Sequence, residues 1–570
     1  MPNIYQQFSQ IAKANLNRTA LASIKKQKYQ KINYKYLDNF RLQIAYFLQK
    51  FALNSGDKIG VLLNNGPEWI MTDLACATLG LINVPLHTTY NPEQMKKIIQ
   101  HAELKYLLIQ DEYWNKYQSL WQTIDFKRII IVGNGHENKD NISPWPKLEY
   151  QYSLAELDLE IDANSPHTII YTSGTTGDPK GVVLSHKNLV ADVMSAKKLI
   201  EIKNSDRFFS FLPLSHAFER AAGYYAPIFS GASIYFARNQ KTILEDIKFA
   251  RPTILTAVPR IFERIYDKIF DQIRSSSELK KKIFFSALNL AKAKKKNNLN
   301  FWQKIVFYFL DFLVFKKIRH ILGANLRMAI SGGASLNQAI AKFFASFGVL
   351  VIEGYGLTET SPIVAVNQID DHKFGTVGKV LDCNQVFIND DKEILIKGDN
   401  LMLAYYNNSE ATHEAIDEKG WFHTGDLGFI DEDGFLTIIG RAKDMIVLST
   451  GKNIFPEPIE SKINENKYIS QSFVYGDKQK NISAFLVPDF QELEKWCKEQ
   501  DLVYVLPNIL YNSKVLALYQ AELDKQLSAL SHLENISNFQ LLSEEFSQEN
   551  GLLTPSLKLR RRNIKEKYLG

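Results

Sequence analysis

The stretch YTSGTTGDPKGVV, residues 171–183, gathers four hydroxyl side chains (Thr172, Ser173, Thr175, Thr176), three glycines (Gly174, Gly177, Gly181) and Lys180. The apolar pair Ile169 and Ile170 before it and the run VVL after it, 182–184, read as two strands joined by a loop. Glycines let the backbone approach an anion and turn N–H groups towards it. Hydroxyls add donors and the lysine adds positive charge, so the loop is suited to wrap a polyphosphate. The order is not that of a Walker loop, because Lys180 follows Pro179 and precedes Gly181. A Gly/Ser/Thr-rich hairpin turn without a ligand is the other reading of these residues alone.

Outward from this hairpin, strand and helix patterns alternate. Apolar residues at helical spacing mark 36–51 and 68–80, and short apolar runs at 58–63, 82–86, 107–110 and 129–132 mark strands. Such alternation predicts an α/β fold with largely parallel sheets, whose ligands sit beyond the carboxyl ends of strands. Further on, DEDG at 431–434 reads as a turn between strands. A boundary is expected near Gly440, dividing 1–440 from 441–570.

A chain of 570 residues is too long for one core. Its 68 basic and 62 acidic residues nearly balance, at +6, which argues against a dedicated nucleic-acid binder. Cys76, Cys383 and Cys497 are too scattered for a zinc site or a disulfide framework. The first residues lack the apolar core of a signal peptide, and no run reaches the ~18–20 apolar residues of a membrane span. A cytoplasmic location is expected.

Further motifs follow in order: SGGA at 331–334, GYGLTET at 354–360, WFHTGD at 421–426, GRAKDMI at 440–446 and LTPSLK at 553–558. Together with the 171–183 loop they resemble the signatures of the adenylate-forming superfamily, along most of the chain. The branch most similar is the bacterial long-chain fatty acid–CoA ligase. The resemblance implies a large N-terminal adenylation domain of several subdomains, with mixed and parallel sheets flanked by helices. It also implies a small, mobile α+β C-terminal domain.

The activity implied is activation of a long-chain fatty acid by ATP to acyl-AMP, followed by transfer to coenzyme A with Mg²⁺ present. Thr172, Ser173, Gly174, Thr175, Thr176, Gly177 and Lys180 would hold the β- and γ-phosphates. Glu359, with Thr172, would bind the metal, a carboxylate oxygen being a hard ligand. Gly332, Gly333 and Ala334 would leave room for adenine, Tyr355 would stack on it, and Gly356 and Thr358 belong to the same pocket. Asp426 would take the ribose hydroxyls, and Arg441 ribose or phosphate oxygens. Lys558 would stabilise charge at the α-phosphate. His216, in LPLSHAFER, would lie near the acyl carboxylate. Read without the family, Glu359 and Lys558 are solvated side chains, Asp426 an Asx-turn residue, and Tyr355 and His216 structural ones.

In the family, the small domain rotates about a hinge that matches Lys443, and Gly451 would then let pantetheine pass. Val447 departs from relatives that carry a lysine there. Homodimers occur in the family. An acyl-AMP ligase serving a carrier protein and, from another class, a non-catalytic ATP- or lipid-binding scaffold are the competing functions. Gly223, Tyr224, Tyr225 and Gly231 are candidates to line an acyl tunnel. Residues 280–317 join lysine clusters to an aromatic-rich segment. They read either as a peripheral helix on the inner face of the membrane or as a core helix, with Phe307, Leu310, Val314 and Ile318 as its buried stripe.

Overall fold

The computed structural model describes residues 1–25, 28–133, 136–139, 141–150, 154–157, 159–172, 179–295, 300–528, 530, 534–554 and 558–570. They form two compact units, Met1–Val386 with Ile396–Phe422, and Phe387–Leu395 with His423–Gly570. The boundary expected at Gly440 falls inside the strand Leu436–Arg441.

In the first unit the alternation of strand and helix builds two sheets. One runs in the order Ala404–Tyr405, Lys180–Ser185, Pro166–Thr172, Ile82–Pro85, Lys58–Leu62, Tyr106–Gln110, Arg128–Val132, Ile142–Pro144. From Pro166–Thr172 to Ile142–Pro144 its strands pair in parallel, Val61 opposite Leu108 and Leu108 opposite Ile130. The glycine-rich hairpin and the short strand beyond it are antiparallel. The other sheet has nine strands. Its centre, including Ile254–Ala257, Met328–Ser331 and Leu350–Tyr355, is parallel. The α/β class expected from the pattern is the class observed.

The helix Pro67–Leu79 shows how the core is organised. Proline opens it, where a missing N–H costs nothing, and Gly80 closes it at φ 68°. Every residue but Glu68 is buried, so this helix has no wet face and its one further charge, Asp73, lies in the interior. The Arg220 guanidinium pairs with that carboxylate, the hydroxyls of Tyr224 and Tyr225 donate to its Oδ2 at 3.1 and 2.6 Å, and His167 Nε2 lies 3.1 Å from Oδ1. Burial pushes the Asp73 pKa up, and Arg220, His167 and Tyr225 together overcome it and hold it well below the usual range. Removing one member of such a buried pair costs about 3–5 kcal/mol.

The residues expected to line an acyl tunnel lie in and beside this network. Tyr224 and Tyr225 are fully buried and spend their hydroxyls on Asp73. Above Gly223 a Cβ would come 2.5 Å from the Glu219 carboxyl carbon, and Gly231 turns the chain at φ 70° against Asn15. The π-helical turn Glu219–Tyr225 is therefore packed on both sides.

In the second unit the strands Phe422–Ile430 and Leu436–Arg441 form a hairpin. At its turn Asp431 Oδ1 accepts from the N–H groups of Asp433 and Phe435, at 3.1 and 2.9 Å. Ile446–Val447 pairs with Asn453–Ile454. A three-stranded sheet, Ile469–Tyr475, Ser483–Pro488 and Asn538–Leu541, packs with the helices Pro456–Ile463, Phe490–Glu499 and Ser513–Leu527 around Ile463, Val474, Leu486 and Leu493. This is the α+β arrangement expected of the C-terminal part. Among the described residues no helix is long and apolar enough to cross a membrane.

Candidate active site

In the first unit, sheet register decides what meets Lys180. Thr172 lies opposite Lys180 at the mouth of the hairpin, and Thr172 Oγ1 is 3.5 Å from the Lys180 carbonyl oxygen. Ser173, Gly174, Thr175, Thr176 and Gly177 lie outside the described residues. The strand Ala404–Tyr405 adds to the free side of the hairpin with Tyr405 opposite Val182. Lys180 is two residues from Val182 and so on the same face of the pleat. Its ammonium sits 5.0 Å from the centre of the Tyr405 ring. The Tyr405 hydroxyl donates to Glu359 Oε1 at 2.8 Å. Burial, and then the charge of Glu359, push the phenol pKa up, so the hydroxyl stays a donor.

Glu359 stands on the single turn Thr358–Thr360, half-buried as Thr358 is. The turn is clamped from below. Asn400 Nδ2 donates to the carbonyls of Thr360 and Ile363, both at 2.8 Å, and to Asp192 Oδ1 at 3.0 Å. The Ile363 N–H donates to the same Asp192 oxygen at 3.0 Å. Burial raises the Asp192 pKa well above the carboxylate range, against the pull of these two donors. Gly356 admits no side chain, because a Cβ there would lie 1.5 Å from the Pro362 carbonyl oxygen. Tyr405, Asn400 and Asp192 were not found by sequence reasoning; nothing in their own neighbourhoods resembles a motif.

The SGGA segment leaves the carboxyl end of Met328–Ser331, and Tyr355 ends the parallel neighbour Leu350–Tyr355. Tyr355 is half-buried, and Gly333 and Ala334 are exposed. A Cβ on Gly332 would come 2.8 Å from the Phe218 ring, so this segment packs against the one carrying His216. His216 Nδ1 accepts from the Phe218 N–H at 3.3 Å. The His87 ring lies 6.3 Å away, with its Nδ1 2.7 Å from Ser215 Oγ. Burial and the nearby His216 bring the His87 pKa down to about 3, so His87 is neutral.

The second unit holds the remaining residues. Asp426 is buried and directly opposite Arg441, and Arg441 Nε donates to Asp426 Oδ1 at 2.7 Å. The guanidinium expected on ribose or phosphate oxygens is thus already seated on the carboxylate. Lys443 is exposed in the turn Ala442–Asp444. Gly451 is exposed at φ 78°, its N–H donating to the Leu448 carbonyl at 2.8 Å.

Lys558 is fixed through its backbone. Its N–H donates to Thr554 Oγ1 at 3.0 Å, and its carbonyl accepts from the Thr554 N–H at 2.8 Å. The residue is exposed, yet protein crowding its ammonium pulls the pKa below the ordinary lysine value. Arg441 and Lys443 pull the same way, opposed by Glu457 and Asp426. Arg561 braces this region by pairing with Glu460, its Nη1 3.0 Å from Oε1. Glu457 and Arg561 had no signal in the sequence beyond their charge.

The sequence matches the AMP-binding enzyme family over residues 8–406 and the AMP-binding enzyme C-terminal domain over 443–520. The chain belongs to the AMP-binding enzyme family. It is 32% identical over 538 residues to the long-chain-fatty-acid–CoA ligase FadD15 of Mycobacterium bovis, covering 92% of this chain and 88% of that one. It is 28% identical to the long-chain-fatty-acid–[acyl-carrier-protein] ligase AEE15 of Arabidopsis thaliana, over 94% of this chain and 83% of the relative. Its fold is like that of the adenylation domain of a carboxylate reductase from Mycobacterium chelonae, with TM-score 0.79 at 20% identity, over 100% of this chain and 90% of that chain. The donor set suits what this AMP-binding enzyme family implies. A half-buried carboxylate, Glu359, with one oxygen oriented by a tyrosine, fits a Mg²⁺ that takes few protein ligands and several phosphate or water oxygens.

Proposed function

We propose that this AMP-binding enzyme is a long-chain fatty acid–CoA ligase. The observation that carries the reading is the 32% identity to a ligase of that name over 92% of the chain. The chain carries Lys180, Glu359, Asp426, Arg441 and Lys558 in the motifs that resemble the family's signatures. A carboxylate is a poor acyl donor because its oxygen leaves badly. Attack of the fatty acid carboxylate on the α-phosphate of ATP forms acyl-AMP and expels pyrophosphate, which makes the carbonyl reactive. The coenzyme A thiol then attacks that carbonyl, and AMP leaves.

Such transfer depends on positioning and charge. The 172–180 loop and Lys180 bind the β- and γ-phosphates. Glu359, oriented by Tyr405, would hold Mg²⁺ with Thr172, and the metal would supply charge to the phosphates. The small residues Gly332, Gly333 and Ala334, with Tyr355, Gly356 and Thr358, hold the adenine, and Asp426 the ribose. Arg441, donating to Asp426, keeps it aimed. Lys558 stabilises the α-phosphate, and His216 lies by the acyl carboxylate. A small domain beginning at Arg441 turns about Lys443 between the two half-reactions and brings Gly451 to the pantetheine path. A long-chain acid partitions into bilayers, so the enzyme works in the cytoplasm at the inner membrane surface.

The test is a panel of acids from acetate to oleate with MgATP, reading pyrophosphate and acyl-CoA. Release of pyrophosphate with the long acids followed by acyl-CoA supports the reading. Absence of pyrophosphate with every acid points to a non-catalytic scaffold. The similarity to AEE15 favours a second reading, transfer to a carrier protein. Acyl transfer to holo-acyl carrier protein but not to coenzyme A would establish it.

A further inference from the structure

We propose that the helix Phe301–Leu310, with the π turn Asp311–Phe315 after it, is an interfacial element that seats its outer face in an anionic phospholipid surface. The inference rests on the reading above that the enzyme meets its acid at a membrane, and it names the surface and the lipid chemistry.

The helix is apolar on both sides. Phe307 and Leu310 are buried and pack in the core with Phe284 and Phe315. On the other side Phe301, Trp302, Ile305, Tyr308, Phe309 and Phe312 are exposed, from 47% for Ile305 to 73% for Trp302. At ~100° per residue the first five fall within an arc of about 120°, opposite the buried pair. A helix resting in water would carry charge there. In Phe301–Leu310 the polar side chains are Gln303, Lys304 and the tip of Tyr308. An aromatic patch of this kind marks an interaction site, and Trp and Tyr suit the headgroup level of a bilayer.

Charge selects the occupant. Residues 279–310 contain eight lysines and neither Asp nor Glu. Asp311, next in the chain, is neutralised by Arg319 at 2.6 Å. Lys294 is exposed with its ammonium 5.9 Å from the centre of the exposed Tyr308 ring, and the Lys316 ammonium is 4.4 Å from that of Phe312. The cations therefore flank the aromatic face, as headgroup phosphates require. A second copy would bring the same positive charge against it. Ten residues of helix span ~15 Å, half of a bilayer core, so the element lies in the interface and does not cross it.

The test uses the full chain and vesicles of phosphatidylglycerol or phosphatidylcholine, by co-sedimentation at low and high salt. One variant is Trp302→Ser with Phe309→Ser; the other is Lys304→Glu with Lys316→Glu and Lys317→Glu. All five sites are exposed, so folding is preserved. The expected result is salt-sensitive binding of the wild type to phosphatidylglycerol. Affinity should fall on the order of tenfold in the aromatic variant and on the order of 100-fold in the charge variant. Wild type that does not sediment with phosphatidylglycerol vesicles overturns the proposal. So do variants that bind as tightly as wild type, or a dimer in sedimentation velocity that the aromatic variant abolishes. Turnover of oleate presented in neutral detergent micelles, which needs no bilayer, is measured in parallel and should be equal in all three proteins. Its absence from all three would strike the ligase reading, while lost binding with intact turnover concerns this face alone.

Discussion

Lys180 in the first unit and Lys558 in the second are the lysines that the sequence reading assigns to phosphates, and the two are held differently. Lys180 is placed by sheet register: it opens a strand, and its neighbour on the pleat brings the Tyr405 ring to 5.0 Å. Lys558 is placed by two hydrogen bonds between it and Thr554, with two cations and two carboxylates acting on its ammonium. Moving Lys180 would mean breaking a sheet. Lys558 is held by contacts within its own unit. The difference suits the proposal that Lys180 binds phosphates throughout and Lys558 serves a single step.

The largest expected effect tests that division directly. Lys558→Ala should slow adenylate formation by roughly 10²–10³-fold while leaving thioester formation from supplied acyl-adenylate near wild type, both read by rapid quench. Equal losses in the two steps would erase the contrast between the lysines. Tyr405→Phe keeps the ring beneath Lys180 and removes one hydrogen bond to an ionised acceptor, worth about 1.5–3 kcal/mol. The magnesium concentration for half-maximal rate should rise roughly tenfold or more; an unchanged value would show that Tyr405 does not orient Glu359.

Lys443→Pro should lower the thioester step about tenfold and spare adenylation, since proline fixes φ near −65° at the proposed hinge. Normal rates in both steps would move the hinge elsewhere. The smallest effect is a shift in a pH profile. A lysine loses its charge as pH rises through its pKa, and that of Lys558 is depressed. Adenylation should therefore fall on the alkaline side below the ~10.4 of an ordinary lysine. Lys558→Arg keeps its charge and should lose that limb; a limb that persists belongs to another group.

The motif residues were legible because each sits in a short run whose spacing is its own signature. Tyr405 was not. It is brought beside Lys180 by an edge strand more than two hundred residues away, and its local sequence, AYY, is ordinary. Asp192 and Asn400 escaped notice for the same reason: their partners, Thr360 and Ile363, are distant in sequence. Gly223, Tyr224 and Tyr225 invited a tunnel; the fold sets the two tyrosine hydroxyls on the buried charge of Asp73 and Gly223 against Glu219. In 280–317 the structure bears out the buried stripe of a core helix and leaves other aromatic residues exposed, for which membrane contact is the proposal made above. Phe307, Leu310 and Ile318 are buried as the stripe predicts, with Val314 half-buried, while Phe301, Trp302 and Phe309 face out.

By itself the sequence determined the α/β class, the order of the signatures and the chemistry their side chains can support, because period, glycine placement and charge are local properties. The partner of each functional group was decided only by tertiary structure. Which carboxylate receives Arg441, which ring underlies Lys180 and which face of an apolar helix is left bare depend on strand register and packing between residues far apart in the chain. A local pattern does not encode those distances.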